Sequence, residues 1–102
     1  AMPEEDCAEI RTQLTQRIIA IGQRRGTAGI AQEIDAIRRI AHRNGMLPTV
    51  TVAHLLESAL ARGECGALVR DWLALLGEAV HSERQDDATC HAFAAACQVR
   101  FA

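Results

Sequence analysis

The sequence predicts an all-α fold, a single compact bundle of four to five antiparallel amphipathic helices. Three observations predict it. Apolar residues recur at steps of three and four through most of the chain, the spacing of one helix face, and no stretch alternates as a half-buried strand would. Alanine, the strongest helix former, supplies 19 of the 102 residues, while aromatic residues make up only 3%. Gly, Asn and Pro fall between the apolar stretches as stop signals, and the short connections they leave make neighbouring helices reverse direction.

Each element follows from its own residues. The first helix is expected over about residues 4–25, with Ile10, Leu14, Ile18 and Ile21 on one face and Ile19 alongside. Glu4, Glu5 and Asp6 suit the positive end of its dipole, Arg24 and Arg25 the negative end, and Gly26 a left-handed stop. Thr27 is the expected cap of a second helix, striped by Ile30, Ile34, Ile37, Ile40 and Ala41 and ended by Asn44-Gly45 and Pro48. Residues 50–80 read as a helical hairpin. Its first stripe is Val52, Leu55, Leu56, Ala59 and Leu60, capped by Thr49 or Thr51 and stopped at Gly63. Its second is Leu68, Val69, Trp72, Leu75, Leu76, Ala79 and Val80, in a helix running to about Arg84. Asp86 or Asp87 caps a fifth helix, where Cys90, Phe93, Ala94, Cys97 and Phe101 repeat at helical spacing. Residues 2–102 are expected to form one domain without an interior linker or repeat, and Ala1 stands outside it.

Composition narrows the function classes. A chain of 102 residues, 49% hydrophobic and 24% charged, is globular in size and make-up rather than disordered. All 11 basic residues are Arg, which with the abundant Ala reads as GC-rich coding and points to a bacterial source. A net charge of −2 argues against a general polyanion binder. The charge is nevertheless uneven: residues 10–45 carry seven Arg against Glu33 and Asp35, and residues 46–102 carry four Arg against seven acids. Neutralisation within the chain or across a dimer is the expectation, with a basic face for an acidic partner or nucleic acid as the alternative. The start Met2-Pro3-Glu4-Glu5-Asp6 is acidic where a secretory signal is basic, so Cys7, Cys65, Cys90 and Cys97 are expected to be reduced thiols of a cytoplasmic protein. No apolar run reaches the length that spans a bilayer, and no membrane role is expected.

Four constellations carry chemistry. His81, Cys90, His91 and Cys97 are zinc-ligand types, but Cys90 and Cys97 stand about 10 Å apart along a helix and His91 points away from Cys90. The expectation is small core side chains, no metal and no cofactor. Arg24 and Arg25 flank Gly26-x-x-Gly29, where exposed amides at a helix start suit an anion. Arg38, Arg39 and Arg43 offer a second set of forks for an anion, a partner or a nucleic-acid phosphate. Within that set lies His42. The segment Arg38-Arg39-Ile40-Ala41-His42-Arg43-Asn44-Gly45 resembles the histidine-bearing segment of histidine-containing phosphotransfer domains, in which an exposed His accepts a phosphoryl group from a response-regulator aspartate. The resemblance implies His42 as the acceptor. Those domains favour a Lys-Gly pair three and four residues after the His, and continue the helix beyond it. Here Asn44-Gly45 comes one residue early and ends the helix.

Hydrolase grammar is missing, since Ser58 and Ser82 are the only serines and neither sits in Gly-x-Ser-x-Gly. A DNA-binding helix-turn-helix from the second and third helices is disfavoured: the turn from Asn44 to Thr49 reads as too long, and the third helix holds Glu57 with only Arg62 as a cation. Trp72, the one Trp, is either core or the anchor of an interface, and core is the preferred reading. The functional expectation is a non-enzymatic interaction or regulatory module that self-associates or binds another protein. Its alternatives are phosphotransfer through His42 and Arg-based binding of nucleic acid or an anion.

Overall fold

A computed structural model describes residues 3–23, 29–63 and 67–101. Five helices carry the chain: α1 (Pro3–Gly22), α2 (Ile30–Arg43), α3 (Leu47–Ala61), α4 (Ala67–Val80) and α5 (Asp87–Phe101). The described residues contain no strand. The radius of gyration is 13.0 Å, matching the roughly 13 Å of a compact globule this long.

The arrangement is a ring with a buttress. α1 packs on α2, α2 on α3, α3 on α4, and α4 returns to α1, while α5 lies against α3 with a smaller contact to α4. The backbones of the diagonal pairs α1–α3 and α2–α4 do not approach closely among the described residues. Direction is fixed by contacts along one seam. Arg11 and Thr15 of α1 reach Ser82 and His81 just past the end of α4, and Gly22 at the other end of α1 lies beside Leu73. α1 and α4 are therefore antiparallel.

The core is aliphatic. Leu14, Ile18 and Ile21 from α1 meet Ile30, Ile34, Ile37 and Ala41 from α2, with Val52, Ala53, Leu56 and Ala59 from α3. α4 adds Val69, Trp72, Leu73, Leu75, Leu76, Ala79 and Val80, and α5 adds Cys97. α3 is touched by α2, α4 and α5, and its sequence is apolar nearly all the way round, as a helix buried on three sides requires.

Several boundaries differ from the sequence expectation, each for a local reason. α1 stops at Gly22; Arg24, Arg25, Gly26 and Thr27 lie outside the described residues. α2 starts after Gly29, whose φ of +81° is left-handed and whose carbonyl accepts the Glu33 N–H at 3.1 Å. Pro48 does not break the chain before α3. It sits in that helix's first turn, where a missing N–H costs nothing. Thr49 is fully buried and Thr51 donates back to the Leu47 carbonyl (3.1 Å), so neither caps α3; the residue before it is Met46. α4 ends at Val80, short of Arg84. Leu68, expected in the second hairpin stripe, is 43% exposed, while Leu73, outside it, is buried; Ile19, alongside the first stripe, is 54% exposed.

The α2–α3 connection is the tightest in the ring. Gly45 adopts φ +69°, the Met46 N–H donates to the Ala41 carbonyl (2.9 Å), and the Gly45 N–H donates to the His42 carbonyl (3.2 Å). Met46 and Ala41 are both buried, the apolar contact that accompanies such a closure. Asn44 adds its Nδ2 to the Ile40 carbonyl at 2.8 Å. Three consecutive end carbonyls of α2 are thus occupied.

Candidate functional site

Arg38, Arg39, His42 and Arg43 line one open recess of about 210 Å³ on the last turns of α2. Helical spacing explains the gathering, since positions 38, 39, 42 and 43 are related by three and four residues. Arg38 is tied down: its Nε donates to Glu57 Oε1 on α3 at 2.8 Å, and its Nη2 donates to Asp35 Oδ1 one turn back. Glu57 first, and Asp35 second, raise the Arg38 pKa above the ordinary arginine value by bonding its charged form. Arg39 pairs through Nε with the other Asp35 oxygen at 3.0 Å. His42 and Arg43 are exposed, and neither pairs with a carboxylate among the described residues. The Arg-rich stretch is therefore partly neutralised within the chain. Three guanidinium groups against Asp35 and Glu57 leave one positive charge at the recess.

The other residues singled out by sequence do not gather there. Trp72 is 2% exposed and lies in the core. His81 meets Thr15 Oγ1 at 3.3 Å across the α1–α4 seam, Cys97 is buried, Cys90 is half-buried and His91 is exposed. Among the described residues, no three His, Cys, Asp or Glu side chains stand close enough together to hold a metal ion. The turn between α2 and α3 is three residues long, Asn44–Met46, shorter than its sequence suggests. Length is thus no obstacle to a helix-turn-helix. α3 itself is packed by α2, α4 and α5, and its Glu57 is committed to Arg38.

One feature escaped the apolar-stripe reading. Along α5, residues 88–99 contain no Asp, Glu, Lys or Arg. Only Cys97 of these is buried, and Thr89, Cys90, Phe93, Ala94 and Ala96 are half-buried. Ala88, Ala92, Ala95 and Val99 are exposed, at steps of four, three and four, and Val99 is 85% exposed. The outer face of a surface helix is ordinarily charged. The signal was present in the sequence as an absence of charge, which a search for buried stripes passes over.

No helix among the described residues is long and apolar enough to cross a membrane. The fold and these two surfaces define a small all-α bundle with a basic recess at one helix end and an outer helix that lacks Asp, Glu, Lys and Arg over residues 88–99. Comparison with protein-family models, with curated proteins and with solved structures finds no match to this chain.

Proposed function

We propose that this protein is a non-enzymatic interaction module, working in the cytoplasm of a bacterium, whose first partner is a second copy of itself. The observation that carries the reading is the uncharged outer face of α5. Ala88, Ala92, Ala95 and Val99 repeat at the alternating steps of four and three of a helix-pair seam, and their small side chains let two helix backbones approach closely. A helix that over residues 88–99 buries one side chain and carries no Asp, Glu, Lys or Arg has more to gain from a partner than from water. Trp72 supplies packing in the monomer rather than an anchor for that partner.

Light scattering tests the reading. The wild-type chain is expected to run as a dimer at high micromolar concentration. The pair Ala92→Glu/Ala95→Glu keeps the helix content, because both positions are exposed, and is expected to be monomeric through like-charge repulsion. A monomeric wild type at that concentration, or a double variant that still dimerises, overturns it.

A further inference from the structure

The recess on α2 lies on a different helix from α5 and stands on different observations. Three of its features concern a ligand. Arg43 is cationic, exposed and at a helix C-terminus, where such a side chain ordinarily turns back onto the last carbonyls. Those carbonyls are taken: Ile40 by Asn44 Nδ2, Ala41 by Met46 N–H and His42 by Gly45 N–H. The closure satisfies three of the four end carbonyls whose partial negative charge opposes an anion at that end. Second, Arg38 is held by carboxylates on two helices, so its fork keeps its place without a ligand and loses little freedom when one arrives. Third, donors remain. Arg38 spends Nε and Nη2 and Arg39 spends Nε, which leaves the other guanidinium N–H groups, all of Arg43 and the His42 ring on side chains that line one recess.

We propose that this recess binds a terminal phosphate group, as a monoester or as the free anion. Three guanidinium groups and an imidazole line a single recess rather than a long groove, which suits one compact anion and not a polymer. A monoester presents three terminal oxygens to those forks, whereas a carboxylate presents two and a nucleic-acid phosphodiester two. The one positive charge left after Asp35 and Glu57 draws the anion in, and Arg43 supplies the contact that no internal carboxylate claims among the described residues. Binding is non-covalent, with no bond to phosphorus broken.

Nuclear magnetic resonance titration of the ¹⁵N-labelled chain, at constant ionic strength, reads the site directly. Phosphoserine and inorganic phosphate are expected to give saturable shifts at the amides of residues 38–44, with sodium glutamate and sodium chloride giving none. Phosphoserine binding more tightly than phosphate identifies an esterified source, and equal affinity identifies the free anion; both support the site. Arg43→Gln is expected to weaken phosphoserine by about tenfold, the loss of one charge-assisted contact, while Arg70→Gln on the exposed face of α4 changes nothing. Shifts that glutamate or chloride reproduces, an Arg43→Gln chain with unchanged affinity, or tighter binding of a single-stranded oligonucleotide than of phosphoserine would overturn the proposal.

Discussion

At the scale of single residues, the least expected feature is Thr49. Its side chain is fully buried in the first turn of α3, and its Oγ1 finds no hydrogen-bond partner among the described residues. A buried hydroxyl left unbonded costs about 1–3 kcal/mol of desolvation, and valine has nearly the same shape without that group. Thr49→Val is therefore expected to stabilise the chain by about 1 kcal/mol, read as a higher urea midpoint at unchanged slope. A lower midpoint would mean that the hydroxyl is bonded after all. Arg38 illustrates the opposite case. It sits at the surface, yet carboxylates from α2 and α3 bond it on two sides, so it acts as a fixed fork rather than a loose charge.

At the scale of elements, ends decide what stripes do not. α5 begins at a cap in which Asp86 Oδ1 accepts both the Thr89 N–H (2.8 Å) and its hydroxyl (2.6 Å), with Arg84 on the other oxygen at 2.7 Å. Bonds from the Thr89 side chain and backbone, then from Arg84, hold the Asp86 pKa down to about 2, from an ordinary 3.8. A carboxyl whose pKa is depressed on folding adds stability above its unfolded pKa, and loses it as pH falls towards its folded one. Asp86→Ala is accordingly expected to lower the melting temperature at pH 7, with the gap from wild type shrinking between about pH 4 and about pH 2. A gap that stays constant across that range would show that the charge is not what stabilises the cap. The same contrast marks what could be read in advance. The faces Leu14-Ile18-Ile21, Ile30-Ile34-Ile37 and Trp72-Leu75-Leu76-Ala79 were legible, because burial writes itself as helical spacing. The placement of Pro48 was not, because proline is acceptable both just after one helix and just inside the next. Nor was the committed state of Arg38, since Glu57 comes from another helix and sequence spacing carries no information about that contact. The recess was half legible: its four residues share a face by spacing, but the carbonyls that leave Arg43 unclaimed are occupied only in three dimensions.

At the scale of the whole molecule, the ring and its buttress differ in how firmly they are held. α3 lies against three neighbours and buries Val52, Ala53, Leu56 and Ala59, whereas α5 buries Cys97 alone among its described side chains. Local stability follows buried apolar contact, so amides of α5 are expected to exchange with solvent before those of α3 when the chain is monomeric. Hydrogen exchange resolved by residue checks this, and equal protection in the two helices would show that α5 opens only with the ring. The short turn between α2 and α3 has a further consequence, one of order in time. Closing a chain segment costs more entropy as the segment lengthens. α2 and α3 are joined by residues 44–46 alone, while α1 and α4 are separated by residues 23–66. Pairing of α2 with α3 is thus the cheapest step towards the ring and the α1–α4 seam the most expensive, so loop closure favours a path that starts in the middle of the chain and seals at its first helix.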